Sequence, residues 1–200
     1  MASAQAPPNR PVWMIVLALA MALFASATLV VGLLTMRDPK EVARLTLQDV
    51  AMTPSQEEVA RKIAKIDDAI IDRHRMAIGV NAGFSIVFGL WTLYATAAVL
   101  ARDRNGRMLA LVTAVVGTAH QLAVLPLVIG VASEAAAATG PLLAELPGGP
   151  GGAGSSMADM ARHMVSRHVL STAVGIGWWL LVFLYFGGRR GRELYGLPPR

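Results

Sequence analysis

Four long apolar stretches dominate the sequence and limit what it can fold into. They cover residues 12–36, 76–101, 108–133 and 169–186, and none contains Lys, Arg, Asp or Glu. A helix needs about 20 mainly apolar residues to cross a hydrocarbon core of about 30 Å. The sequence therefore predicts an all-α integral membrane protein whose four transmembrane helices form a compact bundle, with a helical first outer loop.

Composition agrees with a membrane location. Of 200 residues, 54% are hydrophobic and 16% are charged, whereas about 25% are charged in a soluble domain. The first stretch resembles a signal peptide, because Arg10 precedes it and Ala25-Ser26-Ala27 fits a cleavage site. Its apolar residues continue to Leu34. We therefore expect an uncleaved membrane anchor.

Charge divides the hydrophilic segments into two groups. The tail 1–11, the loop 102–107 and the tail 187–200 carry eight basic and two acidic residues, a net charge of +6. The segments 37–75 and 134–168 carry ten basic and eleven acidic residues, a net charge of −1. Short loops rich in Lys and Arg stay in the cytoplasm. Both termini and the short loop are therefore predicted to be cytoplasmic, and the other two segments to be outside.

The positive charge raises the question of whether the protein binds nucleic acid. The arginines of the predicted cytoplasmic side flank membrane stretches, and no aromatic side chains alternate with them as a stacking surface would need. We therefore expect no nucleic-acid partner. Arg outnumbers Lys 15 to 3 and alanine is abundant, which favours a bacterial inner membrane.

Two helices are predicted in the first outer loop. Asp38 followed by Pro39 is a favoured N-cap and first helical position, and it starts a helix over 39–51. Thr53 followed by Pro54 repeats this pattern. No helix breaker separates the second helix from the next membrane stretch, so the two can be continuous.

The second of these helices carries an apolar stripe, which we call the seam. It consists of Val59, Ile63, Ile66 and Ile70, at spacings of 4, 3 and 4 residues. Full burial of such side chains is worth about 1.5–3 kcal/mol each. The 39–51 helix would cover only part of the seam. We therefore predict that the seam also binds a partner, either a second copy of the chain or another membrane protein subunit.

The second outer loop, 134–168, is rich in Ala and Gly. Residues 135–138 are expected to extend the third membrane helix until Gly140-Pro141 ends it. Residues 147–156 have the composition of a flexible linker. Ser156, with Asp159 three residues later, is expected to cap a helix that leads into the fourth stretch.

Polar residues occur at the centre of the third stretch. His120 and Gln121 are each about twelve residues from its ends, where polar groups are costly and usually face other helices. Trp178 and Trp179 lie at about the same depth on the fourth stretch. The favoured interpretation is that His120 and Gln121 hydrogen-bond across helices and support packing. The other is a pocket lined by these four side chains.

Three histidines collect near the outer membrane boundary. His74, His163 and His168 lie near Asp72 and Asp159 in the predicted topology, and such ligands would suit zinc, or copper together with methionine. However, His163 and His168 are five residues apart and point in different directions on a helix. We therefore predict no bound metal and no cofactor.

Small residues form ridges on the membrane stretches. They are Gly79 with Gly83 on the second stretch, and Ala18, Ala22 and Ser26 on the first. Small residues let helix backbones approach closely, so these ridges are predicted packing surfaces, within the chain or with another subunit. Asn81 lies between the two glycines and is expected to hydrogen-bond across that contact.

Missing residue types exclude several classes of protein. The absence of cysteine excludes disulfides and thiolate metal sites, and no serine lies in a nucleophile elbow. We therefore expect a non-enzymatic subunit or accessory protein of the inner membrane that binds a partner through its outer helical loop and packing ridges. The alternative is a small transporter or metal-handling protein that uses His120 or the outer histidines.

Overall fold

A computed structural model of the chain describes residues 12–40, 54–144 and 153–196, and 94% of these residues are helical. No strand occurs among them. Six helices lie wholly within these ranges: α1, Val12–Arg37; α2, Pro54–Arg73; α3, Arg75–Ala101; α4, Gly106–Ala144; α5, Ala153–Gly187; and α6, Arg189–Leu194.

Within the described ranges, four segments are long and apolar enough to cross a membrane. They are Val12–Arg37, Arg75–Ala101, Gly106–Leu142 and Val169–Gly187. The expectation of an all-helical, multi-pass membrane protein is confirmed.

Helix α4 is longer than the sequence predicts. It runs through both Pro126 and Pro141 to Ala144, so the expectation that Gly140-Pro141 ends this helix is wrong. A proline removes one backbone hydrogen bond, but its fixed φ is compatible with a helix. Helix α2 contacts α4, and Thr139 on this part of α4 is 7% exposed, so tertiary packing supports the extension in a way that composition alone does not reveal.

Helix α4 therefore extends beyond the bilayer. Its 39 residues span about 58 Å at about 1.5 Å per residue, against about 30 Å of hydrocarbon. Helix α5 is also long, and it begins at Ala153. Part of the predicted linker, 153–156, is therefore helical, and the helix starts before Ser156. Residues 147–152 lie outside the described residues.

The first outer loop agrees with its predicted helix starts where the structure describes it. The Lys40 backbone N–H donates to Asp38 Oδ1 at 2.8 Å, which is the expected N-cap bond. Residues 41–53, most of the predicted 39–51 helix, lie outside the described residues. Helices α2 and α3 are separated only by His74, and a backbone bond from Ile78 N to His74 O bridges the junction at 2.9 Å.

The membrane helices contact one another in chain order, α1 with α3, α3 with α4, and α4 with α5. We call the end that holds the 102–105 turn and α6 the α6 end, and the opposite end the α2 end. All four membrane helices share one cluster of buried side chains, and it lies towards the α6 end. Its members are Met14, Ala18, Met21, Phe88, Val99, Ala110, Ala114, Trp179, Val182 and Phe186.

Two glycines allow α1 and α3 to approach each other closely. A Cβ atom on Gly32 would lie 3.0 Å from the Ala82 carbonyl oxygen, and one on Gly89 would lie 3.0 Å from the Ala25 carbonyl oxygen. These contacts are tighter than a side chain normally accepts. The α1–α3 pair therefore packs through Gly32 and Gly89.

Candidate functional site

The mid-membrane polar side chains join helices to one another. His120 Nε2–H donates to Asn81 Oδ1 at 2.9 Å, which links α4 to α3. The partner of Asn81 is therefore His120 on α4. The sequence predicts instead a hydrogen bond across a helix contact at Gly79 and Gly83. Both groups are half-buried, and each provides the other with a polar contact that lipid cannot offer.

Aromatic rings enclose the histidine on its other side. The Phe84 ring stacks on the His120 imidazole with centroids 4.4 Å apart and planes at 23°. Phe88 lies 6.2 Å from the same imidazole. One hydrogen bond and ring stacking therefore fix the position of the imidazole between α3 and α4.

Gln121 faces a different helix from His120. A Cβ atom on Gly175 would lie 3.1 Å from the Gln121 amide, so this side chain packs directly against α5. Successive helical residues point about 100° apart, which explains why the two neighbours separate. His120 therefore contacts α3, and Gln121 contacts α5; a pocket lined by the four side chains stays a prediction.

Trp179 is the centre of the buried cluster. It is 0% exposed and forms edge contacts with Phe24 at 5.1 Å and Phe88 at 5.5 Å. A Cβ atom on Gly117 would lie 2.5 Å from its ring, so the indole occupies the space that this glycine leaves. Trp178 is half-buried and lies 6.5 Å from Trp179. Neither indole nitrogen has a hydrogen-bond partner within the described ranges.

The sequence reasoning missed two polar contacts between α3 and α4. One is the Asn81–His120 bond, and the other joins Trp91 Nε1–H to Thr113 Oγ1 at 2.9 Å. The short turn between the two helices was the available signal, because it fixes them as antiparallel neighbours. Polar residues on either side of that turn are therefore candidates for pairing.

The described residues cover the seam on α2 only in part. Ile70 is 4% exposed, whereas Val59, Ile63 and Ile66 are half-buried. Helix α2 contacts the extension of α4 and the start of α3. Asp67 lies four residues after Ile63 and so shares its side of the helix. Burial raises the pKa of the Asp67 carboxyl, and the neighbouring Asp68 raises it further.

Ion pairs fasten α2 to the rest of the α2 end. Arg73 Nη1 donates to Glu134 Oε1, and His74 Nε2 donates to Glu134 Oε2 at 2.9 Å. Lys40 Nζ donates to Asp72 Oδ2 at 2.7 Å. One carboxylate on α4 therefore holds the α2–α3 junction, and one lysine that follows α1 holds the end of α2.

The predicted small-residue ridges have different surroundings. Ala18 is 0% exposed, Ala22 is half-buried and Ser26 is exposed, so the contact surface of α1 turns away from Ser26. Cβ atoms added at Gly79 and Gly83 would meet nothing within 4 Å. Packing at these two glycines stays a prediction about another chain.

Of the three histidines His74, His163 and His168, the structure describes the side chain of His74. It bonds to Glu134, and the described residues contain no group of three or more His, Asp or Glu side chains that could hold a metal. The side chains of His163, His168 and Asp159 lie outside the described part. The alternative role in transport or metal handling stays a prediction.

Comparison with known proteins gives no relative: no protein-family model matches the chain, and no curated protein or solved structure is similar to it.

Proposed function

We propose that this chain is a non-enzymatic subunit or accessory protein of a bacterial inner membrane, built as a compact four-helix bundle with its α6 end in the cytoplasm. Its role is to bind another protein through α2 on the outer side. The partner is a second copy of the chain or another membrane protein subunit. The observation that supports this proposal is the seam: of its four side chains, the described residues bury Ile70, whereas Val59, Ile63 and Ile66 are half-buried.

The mid-membrane contacts support a structural role for the bundle. His120 bonds to Asn81 and Trp91 bonds to Thr113, so these polar groups bond to each other. In membrane proteins, hydrogen bonds of this kind contribute on average about 0.6 kcal/mol to helix association. They hold α3 and α4 together without requiring a bound solute.

Helix α2 is suited to present a binding surface. Its C-terminal end is fixed through Arg73, His74 and Glu134, so little conformational entropy remains to be lost there when a partner binds. Val59, Ile63 and Ile66 are half-buried. Since full burial of one such side chain contributes about 1.5–3 kcal/mol, covering the remaining surface favours association.

The membrane part of α3 offers a second contact. Gly79 and Gly83 have open space where a Cβ atom would lie, and Met76 and Val80 nearby are 85% and 66% exposed. A helix of another chain can approach the backbone closely at such a position. The same partner could therefore contact α2 outside the bilayer and α3 within it.

The test replaces Ile63 and Ile66 with aspartate and compares complexes in mild detergent and after cross-linking in membranes. The proposal predicts that a defined larger species is lost while the monomer inserts and folds. Ala69→Asp is the matched control, because Ala69 is on the exposed side of the same helix. A wild-type chain that is monomeric without partners, or a complex that survives the double substitution, contradicts the proposal.

A further inference from the structure

Six arginines from two distant parts of the sequence meet at the α6 end. Two carboxylates accompany them, Asp103 and Glu193, so the described residues of this end carry a net charge of +4. The six arginines lie where α3 and α5 end and α4 begins, at the limits of three membrane segments. The arginines are Arg102, Arg104, Arg107, Arg189, Arg190 and Arg192.

Specific contacts pin the two arginine-bearing segments together. Arg107 Nε–H donates to the Phe186 carbonyl oxygen at 2.7 Å, which ties the start of α4 to the end of α5. Gly106 is buried, and a Cβ atom there would lie 2.9 Å from the Tyr195 hydroxyl oxygen. The residue after α6 therefore packs against the first residue of α4, and the arginine positions are fixed by the fold.

The described carboxylates leave most of this positive charge without an ion pair. Arg189 pairs with Glu193 at 2.7 Å, and the Asp103 carboxylate accepts the Asn105 backbone N–H at 2.8 Å. Four arginines have no described carboxylate within 4.0 Å of their side-chain nitrogens. They are Arg104, Arg107, Arg190 and Arg192.

Two buried donors at this end also lack an acceptor. Arg192 Nε and the Tyr195 hydroxyl are shielded from solvent and have no hydrogen-bond partner in the part of the chain that the structure describes. The Tyr195 backbone N–H donates to the Arg192 carbonyl oxygen at 3.1 Å, so the two residues are neighbours at the end of α6. Burial raises the pKa of Tyr195, although Arg102 acts in the opposite direction. The hydroxyl therefore keeps its proton at neutral pH and can donate it in a hydrogen bond.

We propose that the α6 end binds the phosphate headgroup of an anionic phospholipid. Arg104 and Arg190, which are exposed, would contact the phosphate oxygens, and Arg192 with Tyr195 would supply the donors at the base of the site. The planar guanidinium group presents paired N–H donors that match phosphate geometry. Headgroups lie at this level because the membrane segments end here.

Membrane topology alone does not account for this arrangement. The rule that cytoplasmic loops carry excess Lys and Arg explains the charge of these short segments. It does not explain why Tyr195 packs on Gly106 or why two donors are buried without acceptors. A headgroup site explains both the charge and the buried donors. Basic pockets between membrane helices are known to bind anionic headgroups in other proteins.

The experiment titrates the purified full-length chain with phosphatidylglycerol in neutral detergent and counts bound lipid by native mass spectrometry. Arg104→Gln with Arg190→Gln should lower lipid affinity about 25-fold, which corresponds to about fivefold for each arginine. Lys65→Gln with Arg75→Gln removes the same charge from exposed positions at the α2 end. This control should retain wild-type affinity.

Tyr195→Phe separates a built site from a diffuse basic surface. It keeps the ring and removes one donor, so the proposal predicts weaker phosphatidylglycerol binding, with an unchanged thermal unfolding midpoint in lipid-free detergent. Binding that falls equally in the control at the α2 end, or that is unchanged in the Arg104/Arg190 variant, overturns the proposal. If inorganic phosphate alone stabilises the wild type as much as the lipid does, the ligand is free phosphate and the lipid assignment is wrong.

Discussion

The two ends of the membrane domain are held together by different interactions. At the α6 end, buried side chains from all four membrane helices pack together, and Met14, Trp179 and Phe186 are each 0% exposed. At the α2 end, the close contacts are a backbone approach at Gly32 and ion pairs such as Lys40 with Asp72. The α6 end is a packed core, whereas the α2 end is held by separate pairwise contacts.

This difference has a physical reason. Lipid tails are as apolar as leucine, so helices in a bilayer gain little from burying apolar surface and depend on close packing and hydrogen bonds. Interlocked rings provide many van der Waals contacts and tolerate little adjustment. Isolated polar pairs and ion pairs can break one at a time. We therefore expect the α6 end to set stability and the α2 end to adapt to a partner.

The largest expected effect comes from removing the central ring of the packed end. Trp179→Ala should lower the free energy of unfolding by about 3–5 kcal/mol, because it leaves a cavity among Phe24, Phe88 and Gly117. Unfolding in mixed micelles with increasing denaturing detergent measures this loss. Leu184→Ala, on the same helix at a side chain that is 70% exposed, should change stability by about 0.5 kcal/mol or less. Equal losses in the two variants would remove the distinction between the ends.

A single methyl group tests the same distinction with a smaller perturbation. Gly117→Ala should cost about 1–3 kcal/mol, since the new Cβ would lie 2.5 Å from the Trp179 ring. Gly79→Ala places the same atom in open space, so the isolated chain should be unaffected or slightly stabilised. The measurement is the thermal unfolding midpoint of both variants in one detergent. If Gly79→Ala weakens a complex in membranes without destabilising the monomer, the ridge contacts another chain.

The polar link between α3 and α4 should contribute less. A double-mutant cycle with Asn81→Ala and His120→Ala is expected to give a coupling free energy of about 0.6 kcal/mol and at most about 1.7 kcal/mol. The cycle is measured by the same unfolding assay. A coupling near zero would mean that stacking on Phe84 holds His120. A much larger value would make this link as important as the packed end.

The smallest effect concerns Asp67 and pH. Because burial raises the pKa of this carboxyl above its usual 3.8, its protonated form is favoured in the folded state. That contribution to stability is complete below pH 3.8 and is lost as the pH rises through the folded pKa. Asp67→Asn should therefore stabilise the chain at neutral pH by about 0.5 kcal/mol or less. Unfolding measured at several pH values should show this gain disappearing in acid; a gain independent of pH would contradict the assignment.

The sequence predicts the membrane helices well because the bilayer sets their length and polarity. Charged residues cannot lie within them at low cost, so the four stretches are bounded by their own composition. The N-cap at Asp38 and the first helical position at Pro54 are local signals and coincide with the helix starts observed. The continuation of α4 past Pro141 is a different kind of feature, since contact with α2 supports it.

The contacts within the membrane were harder to predict. Asn81, His120 and Gln121 were identified as polar, but a helical period does not say which neighbouring helix each side chain faces. Gly79 and Gly83 match a packing motif, yet the glycines in close contact between α1 and α3 are Gly32 and Gly89. A motif reports that close approach is possible. The arrangement of the neighbouring helices decides where it occurs.

Both assignments, a partner at α2 and a lipid headgroup at α6, depend on which side of the membrane each end faces. Fusions of alkaline phosphatase at Gln56, Asn105 and Gly151 test this directly, because the enzyme is active only outside the cytoplasm. We predict activity at positions 56 and 151 and none at 105, with matched expression of the three fusions. Strong activity at 105 would place the arginine-rich end outside and contradict the four-span topology proposed here.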